Sequence, residues 1–307
     1  MKKYANSIHN RYLSIADQCV ITTASCRFFA PYLLNMLSSL HQNFPTHPKI
    51  YVYDLGMTHI QLQELRGINW VTVKNTPAFA PHWYYCWSWK PWIWTLPRER
   101  YILHLDSGLV VLRSLELWFL SIQKHGYISF AQGQKLQDIT PPDVLEKVGL
   151  KPKEIEGQEV FAAGVFGFDR QSHFGKAVQR TAQLAKEGWA LGWSPREIHR
   201  AKSQYDRIVR NCPTFRHDQT LLNLEMRRNT PYPIDVRKEK KYLGVGSPKS
   251  YPRQFVWHSR RKPSSMIYFN RCESHNWLAF FYNRAEFHLR GLKSLKSLMR
   301  GLKKIFS

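Results

Sequence analysis

The alternation of apolar and polar positions divides the chain into strands and helices in turn. Residues 18–25 read as a first strand that ends in small hydroxyl residues. Residues 28–43 carry Phe29, Leu33, Leu34, Leu37 and Leu40 at helical spacing and stop before Pro45. Residues 49–56 form a second strand with Asp54 at its end. Residues 58–66 form a short helix with Thr58 as its N-cap, and residues 69–74 a third strand. This order predicts right-handed crossovers and an α/β fold, with a mostly parallel central sheet flanked by helices. Residues 1–17 read as a polar lead-in.

The pattern then changes. Residues 83–94 hold the densest aromatic block of the chain, which ends in a helix entered through Pro91. Residues 101–112 are an apolar, branched run broken once, by Asp106-Ser107-Gly108. Such a run reads as a strand buried on both faces. A carboxylate at its end faces a cavity, a cation or a partner, because an unpaired buried charge is costly. Ligand crevices of open α/β sheets lie at the carboxyl ends of strands, which makes Asp106 a first candidate for a site. Its other reading is a cap on an Asp-Ser-Gly turn. Residues 114–125 are helical and 126–131 a strand. Residues 132–158, rich in Pro, Gly, Lys and Glu, read as an excursion over the surface. Residues 159–169 return to a buried strand with Ala162, Ala163 and Gly164 inside it, and glycine in a strand often marks close approach of a ligand or backbone. A helix follows at 172–187. Another begins at His217, with Asp218 in its first turn, where the dipole alone accounts for a negative charge.

Composition narrows the classes. The chain has 307 residues, of which 43% are hydrophobic, enough for a real core. Its formal net charge is +23, which favours anionic partners: nucleic acid, anionic lipid or phosphate-bearing substrates. The five cysteines are odd in number and form no CxxC pair, so neither a zinc site nor a disulfide framework is expected and a reducing compartment fits. No signal peptide and no membrane-spanning run is expected. Residues 254–263 form a short strand running into Arg260, Arg261 and Lys262, a turn whose cations suit phosphate oxygens, with His258 just before it. A lone histidine is more often structural than a metal ligand. The last stretch is different. Residues 287–306 place Leu289, Leu292, Leu295, Leu298 and Leu302 at spacings of three and four among six cations, and no acidic residue follows Glu286. This reads as a basic amphipathic helix on an anionic membrane surface, with docking on its own domain as the other reading.

The succession of Thr-Thr-Ala-Ser, Asp54, the Trp-Lys-Pro block, Leu-Asp-Ser-Gly, Phe-Ala-Ala-Gly-Val-Phe-Gly-Phe-Asp, His-Asp-Gln-Thr-Leu-Leu-Asn and Trp-His-Ser-Arg-Arg resembles the GT-A fold glycosyltransferases. It is most similar to those related to glycosyltransferase family 8, over about residues 18–263. The resemblance implies sugar transfer from a nucleotide-diphosphate donor, most simply a UDP-hexose. It places Thr23, Ala24, Ser25 and Asp54 at the base and ribose. It places Asp106, with Ser107 and Gly108, at the diphosphate and its divalent metal, Mn²⁺ or Mg²⁺, and His258 as a further metal ligand. Ala162, Ala163 and Gly164 fall at the donor sugar, Asp218 and Gln219 beside the anomeric carbon, and Lys90 at the diphosphate. Two departures stand out. Gly108 replaces the second carboxylate of the metal motif, and Ala162 replaces the usual Asn. Arg260, Arg261 and Lys262 offer an alternative means of neutralising the leaving diphosphate.

The expected protein is thus a cytoplasmic, peripherally membrane-associated hexosyltransferase acting on a lipid-linked or surface-polysaccharide glycan acceptor. Its expected layout is a lead-in at 1–17, a catalytic domain at 18–275 and a basic amphipathic helix at 276–307. Two rivals remain at this point. One is a non-catalytic nucleotide- or glycan-binding relative. The other is a basic nucleic-acid-binding protein, although no DNA or RNA module is recognisable and no specific nucleic acid is expected.

Overall fold

The computed structural model describes residues 2–191, 214–230, 233–238, 242–244 and 254–258. In chain order the elements are α1 (Lys2–Leu13), β1 (Cys19–Ser25), α2 (Ala30–Asn43), β2 (Lys49–Asp54), α3 (His59–Arg66), β3 (Val71–Asn75), α4 (Trp89–Thr95), β4 (Tyr101–Leu105), β5 (Leu109–Val111) and α5 (Glu116–His125). There follow β6 (Tyr127–Ile128), β7 (Ala131–Lys135), α6 (Pro142–Val148), α7 (Pro152–Ile155), β8 (Glu159–Phe161), β9 (Val165–Asp169), α8 (His173–Lys186), α9 (Asp218–Arg228), β10 (Leu243–Gly244) and β11 (Val256–His258). The central sheet has six strands in the order β3-β2-β1-β4-β9-β6 and is mainly parallel, with β1 and β4 aligned and β9 reversed between β4 and β6.

The chain divides into two compact units. One draws its described residues from Met1–Thr22, Asn75–Leu105 and Glu116–Glu239, the other from Thr23–Lys74, Asp106–Leu115 and Lys240–Ser307.

In the first unit the polar lead-in is largely helical. Tyr12 of α1 is fully buried, with its ring 5.9 Å from that of Phe119 on α5. Helix α8 is entered through Ser172, whose hydroxyl accepts from the amides of Phe174 and Gly175. α8 packs between α4 and α9. The 132–158 stretch is not a surface excursion. It builds β7, α6 and α7, and buries Leu136, Ile139, Val144, Leu145, Val148 and Ile155 in one apolar cluster. Its apolar side chains are spaced for short helices, a period hidden by the Pro, Gly and Lys between them.

The 159–169 run also departs from expectation. It is two strands in two sheets: β8 pairs with β7, whereas β9 pairs with β4 and β6. Ala162, Ala163 and Gly164 form the link between them, outside any strand.

In the second unit, α2 turns Leu33, Leu37 and Leu40 inward and packs on β5. Ser39 on α2 accepts from the Val111 amide at 3.0 Å, and the Asn43 amide donates to the Val111 carbonyl at 3.0 Å. Thr58 caps α3 with a full capping box closed by Gln61. The 101–112 run, like 159–169, supplies strands to two sheets, because β5 pairs with β11 rather than extending β4.

Candidate functional site

In the first unit, three segments far apart in sequence meet at the start of α9. Gln219 Nε2 donates to the Phe161 carbonyl at 2.9 Å, and also to Gln132 Oε1. One turn on, Asn223 brackets the same residue: its Oδ1 accepts from the Phe161 amide at 3.0 Å and its Nδ2 donates to the Phe161 carbonyl at 3.1 Å. Phe161 is the last residue of β8, so the pair fixes the entry to Ala162-Ala163-Gly164. The Ala162 amide is held as well, by the Phe130 carbonyl at 2.8 Å. The third segment is α4. Its Lys90 Nζ lies 3.7 Å from Asp218 Oδ2, and both side chains are only 7% exposed. Lys90 Nζ also lies 5.9 Å from the Trp89 ring centroid. Lys90, Ala162, Ala163, Asp218 and Gln219 are all buried, and Gly164 is half-buried. A buried, paired charge couple beside a tied-down small-residue link can bind a polar ligand and stabilise charge on it.

The approach to Asp218 is unusual. Its neighbour His217 has φ 51° and ψ −118°, and no side-chain oxygen caps the helix. His217 is buried and its Nδ1 donates to the Ala190 carbonyl at 2.9 Å. Burial holds the imidazole below its ordinary pKa, the Arg216 charge adds to this, and the Ala190 hydrogen bond opposes both. The His217 ring sits 5.2 Å from the ring of Trp87 and 4.9 Å from that of Phe215. Cys86 and Trp87 are left-handed too, with φ 49° and 56°. These are the three non-glycine residues with positive φ among the described residues. Each such residue costs on the order of 1–2 kcal/mol, and strain of this kind concentrates at functional sites.

The second unit gathers the other candidates. Thr23, Ala24 and Ser25 end β1 and are buried. The Leu55 amide donates to the Ser25 carbonyl at 2.9 Å, which brings Asp54 to the same edge. Asp54 Oδ1 accepts from the Gly56 and Met57 amides at 2.8 and 2.7 Å, so this carboxylate shapes a turn through Gly56 at φ 93°. The Thr23 hydroxyl is buried with no hydrogen-bond partner among the described residues. Asp106 is half-buried and Ser107 buried, and the Leu109 amide closes a turn on the Asp106 carbonyl at 3.2 Å. The turn reading of this stretch therefore holds for its backbone. In the register of β11 on β5, His258 stands opposite Leu109, one residue past Gly108. Arg260, Arg261 and Lys262 lie outside the described residues, as do 287–306.

Among the described residues no complete metal centre is formed. Gly108 offers no side chain, and no group of three His, Cys, Asp or Glu residues among the described ones could hold a metal ion. Hard divalent cations want several oxygen ligands. Cys19, Cys26 and Cys86 are buried thiols outside any disulfide, and burial raises the Cys19 pKa to about 12. No described helix is long and apolar enough to cross a membrane.

Two features escaped sequence reasoning. Asn223 lies four residues after Gln219 and so shares its helix face, a signal that was available. The left-handed backbone of Cys86, Trp87 and His217 had none, since these residue types do not announce it.

No protein-family model and no curated protein matches the chain. Among solved structures it is similar to the glycosyltransferase GlyE of Streptococcus pneumoniae TIGR4, at 13% identity and a TM-score of 0.49, over 87% of this chain and 64% of that one. It is similar to the galactosyltransferase LgtC, solved with donor and acceptor sugar analogues, at 13% identity and a TM-score of 0.45, over 88% and 95% of the two chains. It is also similar to the bifunctional glycosyltransferase WbbM, at 12% identity and a TM-score of 0.47, over 87% and 44%. The chain thus spans less than two thirds of the length of GlyE and of WbbM.

Proposed function

We propose that the chain is a glycosyltransferase that moves a hexose from a UDP-linked donor to a glycan acceptor, lipid-linked or part of a surface polysaccharide. The observation that carries the reading is the convergence at α9. Lys90, the Ala162–Gly164 link and the Asp218-Gln219 pair come from three motifs of the resemblance and meet through named contacts. Thr23, Ala24, Ser25 and Asp54 receive the base and ribose, and Asp106, Ser107 and Gly108 lie along the diphosphate. Transfer breaks the bond between the anomeric carbon and the phosphate oxygen, whose electron pair leaves with UDP. The acceptor hydroxyl oxygen forms the new bond, and its proton passes to Asp218 acting as base or to an oxygen of the departing diphosphate. Asp218 offers negative charge to the cation-like carbon, and Gln219 orients the sugar hydroxyls. Charge on the departing diphosphate falls to Lys90, and to Arg260, Arg261 and Lys262 if they reach it. The basic segment 287–306 holds the enzyme on an anionic leaflet.

Thermal unfolding with UDP, UDP-glucose and UDP-galactose, each with Mn²⁺ and with EDTA, tests the donor site. Ligand at one hundred times its Kd adds about 2.7 kcal/mol to the folded state, so the midpoint rises with at least one nucleotide; a rise that EDTA abolishes assigns the diphosphate to a divalent metal at Asp106 and His258, and one that survives EDTA assigns it to Arg260, Arg261 and Lys262. No shift with any of them removes the donor site. Binding without release of UDP in the presence of acceptor glycans favours the non-catalytic reading, for which Gly108 speaks.

A further inference from the structure

We propose that Trp87 is a stacking platform for a pyranose ring of the acceptor, set beside Asp218; this deepens the transferase reading and rests on it. The three left-handed non-glycine residues of the described chain are not scattered. Cys86 and Trp87 are consecutive, and the Trp87 ring lies 5.2 Å from that of His217, at an interplanar angle of 39°. His217 leads directly into Asp218, and Lys90, three residues after Trp87, reaches the Asp218 carboxylate at 3.7 Å. The strained backbone therefore places one aromatic ring next to the charge couple. Glycine or asparagine would take this conformation more easily. Tryptophan is found there instead, and 39% of it remains exposed, so core packing does not account for the choice. Tyr84, three residues earlier, is 44% exposed, which makes the same short segment an open aromatic surface.

A pyranose ring has one face of C–H bonds, and these settle on the negative face of an aromatic ring while its hydroxyls stay in water. Uracil could also stack on such a ring. The nucleotide, however, is placed at Thr23–Ser25 and Asp54, and the donor sugar at Ala162–Gly164. The ligand left for Trp87 is the sugar that receives the transferred hexose.

The test uses the full chain with methyl β-D-galactopyranoside and methyl β-D-glucopyranoside as probes, read by saturation-transfer NMR, and UDP read by thermal shift. Wild type transfers saturation to the ring C–H protons of at least one glycoside. Trp87→Gly, which suits a left-handed position, lowers that signal at least fivefold. Trp87→Leu, which keeps apolar bulk without a π face, does the same, while Trp87→Phe retains at least half of it. The UDP shift is equal in all four proteins. A wild type that saturates neither glycoside, or a Trp87→Gly variant that saturates them as wild type does, overturns the platform. A UDP shift lost with Trp87 makes the ring a nucleotide contact and overturns it as well. If wild type itself shows no UDP shift, it is the transferase reading that fails, whatever the glycosides do.

Discussion

Removing one member of the Lys90–Asp218 couple should cost far more than removing both. At 3.7 Å, two unit charges attract by about 4–5 kcal/mol at the effective dielectric of about 20 that suits protein sites. Both side chains are 7% exposed, so water offers little replacement for a missing partner. Lys90→Met keeps the length of the stem and deletes the charge, leaving a buried carboxylate without this cation. The expected loss is about 3–5 kcal/mol. Asp218→Asn removes this carboxylate from the buried ammonium and should cost a similar amount. In the Lys90→Met/Asp218→Asn protein neither charge remains, and most of the loss should return, so that the double variant loses less than either single variant. Urea unfolding followed by tryptophan fluorescence measures each value as a midpoint displacement at constant m. A double variant whose loss equals the sum of the single losses would refute the argument, because the two charges would then not be compensating one another. UDP-sugar turnover supplies the second half of the test. If the couple exists for chemistry, the double variant is stable and inactive, and the buried charges are kept at a position where apolar residues would fold as well.

Three further outcomes follow from the same geometry. A Cβ on Gly175 would lie 2.1 Å from the Arg170 carbonyl oxygen, a backbone atom that cannot swing away, so Gly175→Ala should lose about 2–3 kcal/mol and several degrees in Tm; a Tm within one degree of wild type, taking about 1 °C as the margin of a scan, contradicts the clash. Burial lowers the His217 pKa in the folded state, so the stability it contributes is complete above its unfolded value of about 6.5 and is lost as pH falls through the folded value. His217→Gly, which takes a positive φ freely, should flatten the stability–pH curve below that point, and parallel curves would exclude the assignment. Asn223→Leu orphans the Phe161 amide while the carbonyl keeps its bond from Gln219; chemical denaturation should show a loss of about 2–3 kcal/mol, and a neutral result would mean that the β8 end is held by other means.

Much of the fold was legible because local chemistry and tertiary position agree. Thr58 reads as an N-cap and closes a capping box with Gln61, and the apolar stripe of Leu33, Leu37 and Leu40 reads as one helix face and is buried. What sequence patterning missed is which sheet a strand joins. Residues 101–112 and 159–169 each read as one apolar run, and each supplies strands to two sheets, because burial on both faces looks alike whatever the pairing partner. Composition also misled at 132–158, where Pro142 and Pro152 open short helices and Gly149 closes one rather than marking exposed chain. For the site, the resemblance named Lys90, Asp218 and Gln219, but not that Lys90 turns to Asp218. Ion pairing across elements has no periodic trace. Backbone sign at Cys86, Trp87 and His217 is likewise set by the tertiary environment and not by residue type.

That left-handed trio has an evolutionary corollary. A selection for heat resistance that ignored activity would find its easiest gains at positions 86, 87 and 217, where glycine or asparagine relieves a conformation that cysteine, tryptophan and histidine hold against their preference. Variants enriched in that way would be sturdier and would lose the aromatic contact beside Asp218. Lineages that retain the three strained residues would be those in which something other than folding is under selection there, so thermal robustness and sugar recognition should trade against each other at these positions more sharply than elsewhere in the chain.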